Sequence, residues 1–172
     1  MQLDRDDFDL FGLPRAFALD RSELDARRRR LQAQVHPDRF AAADASMRRL
    51  AMQGAVRVNE AYERLRDPLR RAAYLCELGG APIRAEDNTA MPADFLVQQM
   101  TWRESLEEAE GSAELESLAG ELEAYRAAAY RRLASTLDEQ GDFAAAADQV
   151  RALMFVERFA ADLDERRLLE ER

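Results

Sequence analysis

The only histidine of the 172-residue chain, His36, stands in the tripeptide His36-Pro37-Asp38. Imidazole and carboxylate are common proton-transfer groups, so the pair first invites a catalytic reading. That reading lacks parts, because Pro37 intervenes and no Ser or Cys nucleophile is suggested nearby. The same residues suit docking better. Asp38 is a compact anion that accepts charge-assisted hydrogen bonds from a partner's arginine, and His36 offers two ring nitrogens for orienting a contact. Pro37 fixes the backbone direction between them. A single histidine and a single cysteine, Cys76, exclude a typical histidine- or cysteine-rich metal site and an intramolecular disulfide. Within Ala73-Tyr74-Leu75-Cys76, the thiol reads as a small buried apolar residue.

The tripeptide has to be held by the segments on either side of it. Asp20-Arg21-Ser22-Glu23 has the form of a capping box and starts a helix that runs to about Val35. Leu24, Leu31 and Val35 form its inner stripe, while Arg29 and Arg30 fall on the outer face. Pro37 breaks this helix. A second helix follows over Ser46–Arg66, with Met47, Leu50, Gly54, Val58, Ala61 and Leu65 recurring at helical spacing. The two make a helical hairpin with the tripeptide in its loop. A short helix over Asp7–Leu13, ending at Pro14, precedes the hairpin, and another over Leu69–Leu78 follows it. Gly79-Gly80 ends the latter as positive-φ positions.

Residues 79–92 read as a linker, carrying Gly79, Gly80, Pro82, Asn88 and Pro92 without helical period. Three longer helical patterns follow, Ala93–Glu110, Ala113–Gln140 and Asp142–Glu170, parted by short turns at Gly111-Ser112 and Gly141. Short turns between long helices predict an antiparallel three-helix bundle over 93–172. In its first helix Phe95, Trp102, Leu106 and Ala109 share one face and form the core stripe. Leu96, Val97, Met100, Glu104 and Glu108 lie on the other side. A bundle needs no apolar group there, so this acid-rimmed patch suggests a protein partner. In the last helix Phe143, Val150 and Met154 form the expected inner stripe.

Composition supports an all-α reading, with 47% hydrophobic and 34% charged residues and few Gly or Pro. Residues 1–78 carry 15 Arg against 13 acidic residues, and residues 79–172 carry 10 Arg against 21. The acidic balance argues against nucleic acid as the main partner. The polar start Met1–Asp7 does not read as a signal peptide, and no apolar run approaches membrane-spanning length. A cytoplasmic protein without a membrane partner is expected.

With these elements in place, the residues carry a resemblance. His36-Pro37-Asp38 between two such helices resembles the signature of a J-domain, the module that stimulates ATP hydrolysis by DnaK-type chaperones. Asp9-Leu10-Phe11-Gly12-Leu13-Pro14, the run from Val58 to Pro68, and Arg70-Arg71-Ala72-Ala73-Tyr74 are similar to further parts of that module. His36-Pro37-Asp38-Arg39-Phe40, Phe95-Leu96 and Ala144-Ala145-Ala146 with Asp148, Val150 and Arg151 narrow the resemblance to the HscB family of iron–sulfur co-chaperones. It implies a J-domain over 1–78, joined through 79–92 to a scaffold-binding bundle over 93–172. It also implies that His36, Pro37, Asp38, Arg29, Arg30 and Arg39 face a chaperone, HscA, and that Leu96, Val97, Met100, Glu104, Glu108 and Phe155 face the scaffold protein IscU. Arg39 stands where Lys is common, Arg28 where many J-domains carry Tyr, Thr101 where the family can have Glu, and Val97 where it can have Met. No resident metal or cofactor and no catalytic residue are expected, since the chain has no phosphate loop and too few thiols for a cluster. Two alternatives remain open: a J-domain adaptor for a different client, and a structural helical bundle with a coincidental tripeptide.

Overall fold

Aspartates set the helix starts of the N-terminal half. The carboxylate of Asp6 accepts the Asp9 N–H and opens α1 (Asp7–Phe11), Asp20 accepts from Ser22 and Glu23 and opens α2 (Arg21–Val35), and Asp44 accepts from Met47 and opens α3 (Ala45–Arg66). α4 (Pro68–Leu78) follows. In this computed structural model residues 5–40, 42–84, 91 and 93–170 are described, and no strand occurs among them. Asn88 and Pro92 of the expected linker lie outside the described residues. The chain divides into two compact units, residues 1–75 and 76–172, within α4.

In the first unit α2 and α3 form the hairpin, and α1 packs on both. α1 stops two residues earlier than its pattern suggested. Gly12 adopts a left-handed conformation (φ 64°) and ends the helix before Pro14 is reached. The capping box at α2 is half formed, since the Glu23 carboxylate receives the Arg27 Nε–H at 3.1 Å. Leu24, Val35, Gly54, Val58, Ala61 and Leu65 are buried as the spacing predicts, and Leu31 is half-buried. Met47 and Leu50 are not covered; they are 45% and 52% exposed. Gln32 already bonds Asn59 at 2.9 Å, so α2 runs out about one turn later, before it reaches the level of Leu50. The longer α3 therefore overhangs its partner.

Asp7 holds α1 in place and is fully buried. Arg57 Nη1 makes an ion-pair contact 2.6 Å from its Oδ1, and Arg64 Nη1 donates to Oδ2 at 2.8 Å. The Asp7 N–H donates to the Tyr74 hydroxyl at 3.0 Å. The Tyr74 ring stacks on Phe8, and Arg64 lies over its face. This cluster joins α1 to α3 and α4.

The second unit contains α5 (Ala93–Glu108), α6 (Ser112–Ser135) and α7 (Phe143–Glu170). α6 ends in a π-helical turn, Thr136–Gln140, closed by Gly141 at φ 65°. Phe95, Trp102, Leu115, Leu122, Val156 and Phe159 belong to its core, with Leu106 partly buried against them. Along α7 the buried face turns from Ala146, Val150 and Leu153 to Val156, Phe159 and Leu163, while Phe143 and Met154 are only half-buried. A single stripe fails here because residues 76–84 also pack against the N-terminal half of α7. Arg151 donates to the Ile83 carbonyl at 2.9 Å, and Gly79 abuts the Phe143 ring. Cys76 is buried in the same region, and burial pushes its thiol up to about 11, so it stays protonated at neutral pH.

Gly80 takes the positive φ (80°); Gly79 does not and is required for space instead. A Cβ at residue 79 would overlap the Phe143 ring. Gly79→Ala should therefore cost about 1–3 kcal/mol, by overpacking. Thermal unfolding of the full chain checks this, and Phe143→Leu in the same chain should recover part of the loss.

Candidate functional site

Pro37 leaves His36 extended (φ −61°, ψ 130°) as the C-cap just after α2, and the chain then makes a 3-10 turn over Pro37–Phe40. The turn is pinned locally. The Asp38 N–H donates to His36 Nδ1 at 3.3 Å, and the Arg39 N–H donates to the His36 carbonyl at 3.0 Å. The Arg39 guanidinium reaches back to the Ala33 carbonyl at 3.2 Å, satisfying one of the open carbonyls of the last turn of α2. The side chains of His36 and Asp38 remain 57% and 90% exposed, with Asp38 Oδ2 3.5 Å from the imidazole. A proton-relay pair would need burial and an orienting third group. Here the anion and the imidazole stand open to solvent on a stiff turn. Arg39 serves the turn itself, a role its charge alone did not reveal.

Arg29 and Arg30 are exposed on the outer face of α2, about 10 Å along the axis from His36. Arg28 turns the other way. Its guanidinium lies 4.0 Å from the centre of the Tyr62 ring, and Nη2 donates to Asn59 Oδ1 at 3.4 Å. The Tyr62 hydroxyl donates to Asp25 Oδ1 at 2.7 Å and accepts from Arg21 at 3.3 Å. The Tyr62 bond, followed by the nearby Arg21 charge, holds the Asp25 carboxyl below the usual carboxylate range. The Arg that stands where many J-domains have Tyr thus fills the inter-helix seam by cation–π stacking.

The second candidate face lies on α5, in the other unit. Leu96, Val97 and Met100 are 41%, 66% and 60% exposed, and Glu104 and Glu108 are exposed beside them. The Thr101 hydroxyl donates to the Val97 carbonyl at 3.3 Å and adds no charge to the rim. Phe155 of α7 is half-buried. Its ring meets Phe95 edge-on (5.7 Å), stacks on Phe159 (6.1 Å) and carries Arg103 over its face (5.2 Å). Arg103 follows Met100 by three residues and Leu96 by seven, so it borders the apolar stripe and links it to Phe155. A groove of about 290 Å³ runs there, lined by Arg103, Leu106, Phe155, Arg158 and Phe159 among others. Seven residues are nearly two full helical turns, so the sequence alone places Arg103 next to Leu96.

Among the described residues no group of three or more His, Cys, Asp or Glu is placed to hold a metal ion, and no helix is long and apolar enough to cross a membrane.

Known proteins share this layout. Residues 91–164 match the family described as "HSCB C-terminal oligomerisation domain". The "Co-chaperone protein HscB homolog" of Burkholderia multivorans is 54% identical over 159 residues, covering 91% of this chain and 90% of that protein. The structure of chaperone HscB from Vibrio cholerae superposes with a TM-score of 0.79 at 37% identity, over 94% of this chain and 96% of that one. The crystal structure of human co-chaperone protein HscB gives 0.82 at 29% identity, over 98% of this chain and 83% of that one. An all-helical J-domain with a helical C-terminal domain, a tripeptide turn presented outward and close relatives along nearly the whole length place the chain in the HscB co-chaperone family.

Proposed function

We propose that this co-chaperone stimulates the ATPase of a DnaK-type chaperone, HscA, and delivers the scaffold protein IscU to it during iron–sulfur cluster assembly and transfer. The observation that carries the reading is the pinned His36-Pro37-Asp38 turn at the end of an arginine-faced helix. In this reading residues 1–78 act as the J-domain, 79–92 as the connection and 93–172 as the client-binding bundle. Arg29 and Arg30 steer an acidic chaperone surface onto α2, which makes association salt-sensitive. Asp38 then accepts a charge-assisted hydrogen bond from a chaperone arginine, and His36 fixes the approach. Binding the hydrolysis-competent conformation more tightly than the resting one shifts the chaperone toward it. The hydrolytic groups belong to the chaperone, and this chain contributes none.

Delivery rests on the α5 face. Leu96, Val97 and Met100 offer an adaptable apolar centre, Glu104 and Glu108 an acidic rim, and Phe155 the far edge. Leu96→Ala combined with Met100→Ala should weaken IscU binding at least about tenfold, as expected for central apolar contacts, without changing stimulation of HscA in the absence of IscU. Calorimetric titration with IscU and a parallel ATPase assay read the two effects separately. Unchanged IscU affinity would remove the α5 face from the client site and favour a different client.

A further inference from the structure

α2 presents its basic residues outward only if its rotation about its own axis is fixed, and apolar packing fixes it weakly. Leu24 and Val35, toward the two ends of the helix, are its only buried side chains, and Leu31 is half-buried. Arg27 ties it to α1 through the Phe11 carbonyl at 2.8 Å, and a second row ties it to α3. Arg21, Asp25, Arg28 and Gln32 recur at four, three and four residues, which places them on one stripe beside the apolar one. Every member of this row meets α3. Arg21 and Asp25 bond the Tyr62 hydroxyl, Arg28 covers the Tyr62 ring and reaches Asn59, and Gln32 bonds Asn59. Arg28 is the centre of the row and lies nearest the Tyr62 ring, 4.0 Å from its centre against 5.7 Å for Arg21. Its Nε is buried without a hydrogen-bond partner, so the planar stack rather than a full set of hydrogen bonds holds it.

We propose that Arg28 is a positioning residue for the chaperone-facing surface: seated over the Tyr62 ring, it sets the rotation of α2 and so aims Arg29 and Arg30. Successive residues are about 100° apart on a helix, so a small roll of α2 swings both outer arginines together. Arg28 itself faces the seam, half-buried against α3. The position that many J-domains fill with Tyr is therefore half-buried and turned toward α3 in this chain. This inference rests on the J-domain reading above.

The test is an ATPase titration of HscA with the full-length protein, using wild type, Arg28→Lys, Arg28→Ala and His36→Gln, at a temperature where circular dichroism shows all four folded. Lys keeps the charge but loses the planar stack. Both Arg28 variants should raise the half-maximal concentration about fivefold while leaving maximal stimulation unchanged, the loss expected for one cation–π contact that acts only on affinity. An Arg28→Lys curve that superimposes on wild type while Arg28→Ala shifts would make Arg28 a direct charge contact and overturn the inference. So would two unshifted curves. His36→Gln separates the two levels of argument. If it stimulates like wild type, the J-domain reading falls and takes the inference with it; if it abolishes stimulation, the Arg28 curves decide the inference alone.

Discussion

His36→Gln is expected to abolish stimulation of HscA while leaving the protein folded. Gln keeps hydrogen-bonding capacity but not the ring, so it cannot place an acceptor where Nδ1 now receives the Asp38 N–H. The carboxylate at residue 38 then loses the local brace that holds its backbone. The imidazole is 57% exposed, so little packing is at stake and stability should move by no more than about 0.5 kcal/mol. ATPase rates at saturating protein, with thermal unfolding as the control, check both halves. A coincidental tripeptide on a structural bundle would leave the ATPase rate with the variant equal to that with wild type.

The largest stability effect is expected in the same unit but at its opposite concern, the seating of α1. Asp7→Ala removes the carboxylate shared by Arg57 and Arg64 and leaves two cations facing a cavity. Breaking a buried ion pair on one side costs about 3–5 kcal/mol when the stranded charge stays buried. The side chains of Arg57 and Arg64 are 23% and 44% exposed and can relax toward water, so the low end, about 3 kcal/mol, is expected. Urea unfolding of the full chain measures it. Asp7→Asn should cost less, because the amide oxygen still accepts one hydrogen bond. A loss below about 1 kcal/mol for Asp7→Ala would mean that burial of Phe8 and Phe11, rather than the ion pairs, seats α1.

Local chemistry was readable in the sequence. Asp20 and Pro37 bound α2 through their own backbone neighbours, and the observed helix runs between them. The exposed face of α5 was readable because Leu96, Val97 and Met100 break an amphipathic pattern that Phe95 and Trp102 otherwise satisfy. What depends on distant partners was not readable. Asp7 looked like part of a polar terminus, yet its ion pairs come from arginines 50 and 57 positions away. Arg28 looked like one more member of an arginine run, and only Tyr62 across the hairpin gives it an inward role. Met47 and Leu50 kept the core spacing, but spacing does not tell how far the neighbouring helix extends. Gly79 was assigned to backbone conformation when the Phe143 ring, 64 positions later, is what requires a glycine. Arg39, exposed as its charge suggested, also closes the end of α2, which the sequence did not reveal.

The central claim joins two activities in one chain, switching a chaperone and naming its client. Its most direct test is the steady-state ATPase rate of HscA with this protein alone, with IscU alone and with both. Stimulation by the protein alone and a more than additive rate when both are present are expected, because in the proposed function the α5 face brings the client to the chaperone that the His36-Pro37-Asp38 turn has engaged. An HscA rate that stays at its basal value in the presence of the wild-type protein, with or without IscU, would contradict it.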